Sequence, residues 1–177
     1  MTMRASSKDY LDYLRENVYC YFKIGNFLSY PNLQLAHHVG KVITQYRIET
    51  SASPVLTFLQ ELWYKWEPTQ NKYIKIVPNC IELIFSPKSL AHWIMDDGYF
   101  ENYGRILTVI FCTESFTKEE CIILQNLLLK YDIISTLKVR NKITNRYRNR
   151  ISKLSLPKLR ELVEPHMHSS FLYKLGK

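Results

Sequence analysis

The chain repeats itself. Arg47-Ile48, Pro54, Leu56 and Leu59 recur as Arg150-Ile151, Pro157, Leu159 and Leu162, all at a spacing of 103 residues. Upstream, Ser7-Lys8-Asp9 with Leu14-Arg15 recurs as Thr117-Lys118-Glu119 with Leu124-Gln125, at a spacing of 110. Self-similarity of this kind constrains a fold more than any single motif, because both copies must make the same supersecondary unit. Here the unit reads helix, hairpin, proline-started helix. The second copy is preceded by a further helix and strand, the first by only six residues. The first repeat is therefore expected to be truncated at its N-terminus, with the repeats dividing as 1–85 and 86–177.

Local signals place the elements. Residues 7–20 carry Tyr10, Leu11, Leu14 and Val18 at helical spacing behind a Ser/Asp start. Residues 38–50 alternate around β-branched and aromatic side chains and read as a strand or hairpin, while 21–37 give no clear signal. Ser53-Pro54 opens a helix with Leu56, Leu59 and Trp63 as its expected inner face. Residues 67–80 read as a loop bounded by prolines. Ser86-Pro87 opens a helix over 88–98 that ends at Gly98, in the usual left-handed position for a helix stop. Residues 105–113 are a strongly apolar strand. Thr117 with Glu120 has capping-box spacing and starts a helix running to about residue 131. A hairpin is expected over 133–154, turning at 141–145, and Pro157 opens a last helix.

Composition excludes several classes. With 46% hydrophobic and 14% aromatic residues the chain can build a core. No apolar run reaches membrane-spanning length, so no membrane partner is expected. Cys20, Cys80, Cys112 and Cys121 make no CxxC pair and read as buried thiols in a reducing compartment. The net charge is +8, and it is lopsided: residues 1–100 carry +1 and residues 101–177 carry +7. That asymmetry points to a polyanion bound mainly by the C-terminal half. Residues 138–160 hold nine basic residues and no acid. Lys138, Arg140, Lys142, Arg146, Tyr147, Arg148, Arg150 and Lys153 are the candidate nucleic-acid contacts. Arg146, Arg148 and Arg150 alternate at strand spacing and so share a face. Histidine pairs at 37–38 and 166–168 lack further donors and suit packing better than zinc. No NTPase, dinucleotide or zincin motif occurs.

One segment suggests chemistry. In Ser89-Leu90-Ala91-His92-Trp93-Ile94-Met95-Asp96-Asp97-Gly98, an apolar helix face ends in a carboxylate. Two acids in a last turn oppose the helix dipole at about 0.3–1 kcal/mol each, so their placement suggests another use, such as Mg²⁺ coordination. On spacing alone, two solvated acids beside a glycine cap is the simpler reading. Residues 90–98, however, resemble the LAGLIDADG motif of homing endonucleases, in the form L-A-x-W-x-M-D-D-G. Val77-Pro78-Asn79 before it match as well, as do residues 112–117, residues 156–162, His168 and residues 172–175 after it. The pattern is that of the organellar intron-encoded members.

The resemblance implies an α+β fold of two αββαββα pseudo-repeats with antiparallel saddle sheets over nucleic acid. It implies that Leu90, Ala91 and Ile94 form a helix-packing interface, and that Asp97 is the catalytic, metal-binding carboxylate. Family cleavage takes one such acid from each repeat. This chain carries one. The expectation is therefore a non-catalytic nucleic-acid-binding protein, preferring RNA and needing no cofactor. It would work with other proteins of an organellar ribonucleoprotein, such as the mitochondrial ribosome or an intron-splicing complex. The alternative is an active endonuclease that cuts double-stranded DNA with Mg²⁺, completed by a second chain or by homodimerisation. An AT-rich codon bias (Ile, Tyr, Asn, Lys and Phe abundant, Gly, Ala, Arg and Pro scarce) suits a mitochondrial or other organellar gene.

Overall fold

Three short strands make the first sheet of this α+β fold. The computed structural model describes residues 1–104 and 106–177 and separates into two units, Met1–Leu59 and Gln60–Lys177. In the first unit, strand β1 (Thr2–Arg4), helix α1 (Lys8–Asn17), and strands β2 (Leu28–Tyr30) and β3 (Gln45–Arg47) precede helix α2 (Pro54–Trp63), which runs across the boundary. The sheet order is β1-β3-β2, antiparallel throughout. Tyr10, Leu11 and Leu14 of α1 are buried, as is Ile48 just beyond β3. Ser7 precedes α1, but its side chain makes no capping bond; a 3₁₀ turn at Ala5–Ser7 leads into the helix instead. β2 lies inside 21–37, the stretch that local patterning leaves unread. Three residues separated from their partner by a long loop are too few for a periodic signal.

The second unit opens with strands β4 (Tyr64–Glu67) and β5 (Lys72–Lys75), paired as a hairpin around a turn with Asn71 at positive φ. The loop expected over 67–80 is thus largely a hairpin. Pro68 sits in its turn, where it cannot disturb the ladder. Helices α3 (Ile81–Ile84) and α4 (Pro87–Asp97) follow, then strands β6 (Gly98–Tyr103) and β7 (Ile106–Phe111). Arg105, the first residue of the strand expected over 105–113, lies outside the described residues. β6 has no sequence counterpart in the expectations, because GYFENY is too polar to read as a core strand. Helix α5 (Lys118–Leu129) starts with both bonds of the capping box: Glu120 N donates to the Thr117 hydroxyl, and Thr117 N to the Glu120 carboxylate. Strands β8 (Ser135–Asn141) and β9 (Arg146–Ile151) and helix α6 (Leu156–Val163) complete the order, with a 3₁₀ segment at Ser169–Leu175.

The second sheet runs β6-β7-β9-β8, so its last three strands repeat the order of the first. The register repeats too. Met3 faces Tyr46 as Phe111 faces Asn149, and Thr2 faces Arg47 as Ile110 faces Arg150. Short β1 is therefore the counterpart of β7. Among the described residues the first unit has no counterpart of α4 or β6.

That difference decides the cores. In the second unit, Leu90, Ala91 and Ile94 of α4 are fully buried with Val109 and Phe111 of β7 and with Leu159 and Val163 of α6. In the first unit α2, the repeat of α6, buries no residue. Phe58 is 61% and Val55 53% exposed, and Leu59 of the expected inner face is exposed as well. α6 packs on α4, and α2 has no such helix within its own unit. The cysteines also differ from expectation: Cys121 is buried, Cys80 and Cys112 are half-buried and Cys20 is exposed. No described helix is long and apolar enough to cross a membrane.

Gly98 is not in the left-handed conformation expected of a helix-stopping glycine. Its φ is −88° and its ψ 156°, extended backbone open to any residue. Glycine is needed there for space, since a Cβ would lie 2.7 Å from the Ile94 carbonyl oxygen and 2.8 Å from Ile94 Cα. Gly98→Ala should therefore push β6 away from the last turn of α4 and cost about 1–3 kcal/mol, the range for overpacking. A denaturant midpoint equal to wild type would show that the junction yields freely.

Candidate nucleic-acid interface

Alternation along the second sheet sorts its side chains onto two faces. Phe111, Asn149, Ile151 and Leu137 point toward the helices. Tyr99, Glu101, Thr136, Lys138, Arg148 and Arg150 take the other face, since each is paired with or two residues from another of the set. Arg148 and Arg150 share this face as the strand spacing implied. Tyr147 does not. It lies on the α5 side, half-buried against the cluster of Val77, Phe116 and Cys121, with Lys118 Nζ 5.9 Å from its ring centroid. Arg140 falls at a register shift between Val139 and Asn141, and Lys142 is exposed in the hairpin turn. Lys153 is exposed in the 3₁₀ turn beyond β9.

Much of the charge on the open face is already engaged. Lys138 Nζ lies 2.7 Å from Glu101 Oε1. The Arg148 guanidinium pairs with the Glu114 carboxylate and donates to Tyr99 Oη at 3.1 Å. Arg146 donates to the Glu114 carbonyl oxygen. Glu101 and Glu114 thus hold the cations in place and offset like-charge repulsion between the directly opposed Lys138 and Arg148.

Asp97 ends α4 with its side chain exposed, and its carbonyl accepts the Cys112 amide at 3.0 Å, tying the helix end to the exit of β7. The Leu90/Ala91/Ile94 face is not available to a partner helix, because the sheet and α6 of the same unit bury it completely. The side left over is the next one round the helix. Ser89, His92, Trp93 and Asp96 follow i, i+3, i+4, i+7 spacing and line a cavity of about 440 Å³ with Phe85 and Phe116.

A residue that pattern reading passed over stands beside the acid. Lys174, nearly buried, donates from Nζ to the carbonyl oxygens of Ile94 (3.3 Å), Met95 (2.5 Å) and Asp96 (3.4 Å). It thereby satisfies the Met95 and Asp96 carbonyls, which a helix C-terminus leaves orphaned, and adds a second donor to Ile94 O, which already accepts the Gly98 amide. Burial pushes its pKa below 10.5, against the opposing pull of Asp96 and Asp97. The family-like run at residues 172–175 was the signal available for it. As for metal, the described residues contain no group of three His, Cys, Asp or Glu side chains close enough to hold an ion. Asp97 is one helix-borne carboxylate beside a lysine, and these donors do not make up a two-ion centre.

The arrangement so far is a basic sheet face next to a helix that ends in an acid. The sequence profile of the LAGLIDADG DNA endonuclease family matches residues 1–159. The chain belongs to that family. Relatives include the DNA endonuclease I-ChuI of Chlamydomonas applanata, 26% identical over 154 residues, covering 85% of this chain and 71% of the relative. The intron-encoded endonuclease ai4 of Dictyostelium discoideum is 28% identical over 167 residues, covering 93% and 97%. The cytochrome b mRNA maturase bI2 of Saccharomyces cerevisiae is 30% identical over 138 residues, covering 77% of this chain and 32% of the maturase. In fold, the LAGLIDADG chain superposes on the homing endonuclease I-WcaI, solved bound to its DNA recognition sequence. The TM-score is 0.73 and the identity 24%, over 99% of this chain and 73% of that one.

Proposed function

We propose that this LAGLIDADG protein is a non-catalytic nucleic-acid-binding protein with RNA as its preferred ligand, working within an organellar ribonucleoprotein such as a mitochondrial ribosome or an intron-splicing complex. One observation supports the reading: Lys138, Arg148 and Arg150 share the open face of the second sheet, while the end of α4 offers Asp97 beside the buried ammonium of Lys174 and no described cluster of metal-ligating side chains. Phosphate binding needs charge and shape, which the sheet face retains, whereas two-ion cleavage needs a carboxylate from each repeat. The maturase relatives support an RNA role.

A second reading has its own support. The relative from Dictyostelium, covered over 97% of its length, carries the name of an endonuclease. On that reading a second chain, or a second copy, supplies the missing acid, and the product is Mg²⁺-dependent double-strand cleavage.

Asp97→Asn separates the two. Under the first reading it leaves RNA affinity unchanged or raises it slightly, since it removes a negative charge near phosphate, and wild-type protein leaves duplex DNA intact in Mg²⁺ or Mn²⁺. Metal-dependent cleavage by wild type that Asp97→Asn abolishes would establish the second reading in place of the first.

A further inference from the structure

The chain carries eight more cationic than acidic side chains, and on the open face of the sheet Arg150 is left outside an ion pair among the described residues while its neighbours there are engaged. Lys138 and Arg148 are paired with Glu101 and Glu114, and Arg146, at the hairpin tip, donates to the Glu114 carbonyl oxygen. A separate cleft of about 1000 Å³ lies on the α5 side of the second unit, between the β4–β5 hairpin, the start of α5 and the tip of the β8–β9 hairpin. Lys65, Lys72, Lys75, Lys118 and Arg146 line it. Among the described residues, none of the four lysines takes part in an ion pair. Two carboxylates also line the cleft: Glu119 is exposed in the first turn of α5, and Glu120 is committed to backbone, with Oε1 accepting Val77 N at 2.9 Å and Oε2 accepting Thr117 N at 2.8 Å.

Aromatic residues also line the cleft, Tyr73 on the hairpin face it shares with Trp66 and Lys75, with Lys65 and Lys72 turned to the other side of the same two strands. Lys75 Nζ lies 5.4 Å from the Phe116 ring centroid, and Lys118 lies over Tyr147. Tyr73 is 57% exposed and braced edge-on by Trp66, with ring centroids 5.1 Å apart at 65°. An exposed ring held by its neighbour is a stacking platform, because a base can cover its free face without first ordering it.

We infer that this cleft is a second nucleic-acid site, which takes one strand of RNA with its phosphates on Lys65, Lys72 and Lys118 and a base on Tyr73. The inference rests on the reading of the protein as an RNA binder. A duplex is the poorer fit: its bases face inward, so it can use the lysines but cannot stack on an exposed ring such as Tyr73. A single strand splays its bases and can use both. The site also gives Tyr147, turned away from the sheet arginines, a place beside nucleic acid.

The test is fluorescence-anisotropy titration of the full chain with an unstructured single-stranded RNA and, separately, with duplex DNA. Lys65, Lys72 and Lys118 are exposed, so Lys65→Gln/Lys72→Gln/Lys118→Gln should fold, as circular dichroism and the unfolding midpoint would show. Three lost phosphate contacts at about 0.7 each should flatten the slope of log K against log salt for RNA by about 2. Affinity should fall at least tenfold at physiological salt, while duplex affinity stays within twofold. Tyr73→Ala alone should weaken RNA binding about tenfold with no change in salt slope, the mark of stacking rather than charge. If the triple variant binds RNA like wild type while Lys138→Gln/Arg150→Gln does not, RNA lies on the sheet, and the cleft assignment fails while the RNA reading stands. If wild type binds no single-stranded RNA, both fail. Equal losses for RNA and duplex would overturn the assignment to a single strand.

Discussion

Phe111→Ala is expected to lower the stability of the second unit by about 3–5 kcal/mol, a large part of what a domain of this size has to lose. The ring is fully buried and stacks on Trp93 with centroids 4.0 Å apart and planes at 27°. It sits where α4 rests on the sheet, among Leu90, Ile94, Val109 and Leu159. Removing it leaves a void that its neighbours cannot fill without turning α4, and the next residue, Cys112, is the one whose amide holds the Asp97 carbonyl. Urea unfolding followed by tryptophan fluorescence measures the loss. A drop under about 1 kcal/mol would mean that the core beneath α4 is loose and that the position of Asp97 is not fixed by packing.

Lys174→Met keeps the length of the side chain and removes its charge. Nζ reaches three carbonyls of the last turn of α4; the Ile94 oxygen also accepts the Gly98 amide, so the variant takes the lysine donor chiefly from the Met95 and Asp96 oxygens. Hydrogen bonds to a charged group contribute about 1.5–3 kcal/mol each way of counting, and a loss of about 2–3 kcal/mol is expected at neutral pH. The pH dependence carries a sign of its own. Burial lowers the folded-state pKa below the unfolded value of 10.5, so in the window between the two the unfolded chain binds more protons. Wild-type stability should therefore gain from Lys174 as pH rises through that window, and the cost of its buried charge is fully present below it. Lys174→Met should lack this alkaline contribution. Identical pH profiles for the two proteins between pH 8 and 10.5 would show that Lys174 is solvated in the folded state.

The helices that begin with a side-chain cap or a proline were legible in the sequence. Ser86 and Thr117 each accept the amide three residues on, and Pro54, Pro87 and Pro157 stand in first turns. These signals are local, and local chemistry survives any tertiary context. The repeat spacing likewise anticipates the shared strand order. What failed were judgements about which face a helix buries. Leu90, Ala91 and Ile94, which the resemblance places at a helix-packing interface, lie in the core of their own unit, with Leu159 and Val163 of α6 among their neighbours. Of the expected inner face of α2, Trp63 packs against the second unit's cluster of Val77, Ile81, Phe116 and the α5 residues Cys121, Leu124 and Leu127, while Leu59 is left exposed. Periodicity reports that a face is apolar; only topology says what meets it. The β4–β5 hairpin and β6 were missed because polar, half-exposed strands have no burial pattern to betray them. That hairpin forms one wall of the basic cleft, so the cleft leaves no mark in the sequence pattern, whereas the alternating arginines of β9 do.

The thin interior of the first unit sets how the molecule breathes. Its buried apolar side chains are Tyr10, Leu11, Leu14 and Ile48, where the second unit has two clusters sharing α4, α5, α6 and the long sheet. Opening free energy follows buried contact, so amide protons of β1–β3 and α2 should exchange with solvent deuterium through partial openings that leave β6, β7 and β9 protected. The first unit then behaves as a foldon of its own, cycling open while the second stays closed. A protein built this way can have its first half remodelled by a bound partner without unfolding the half that carries its charge.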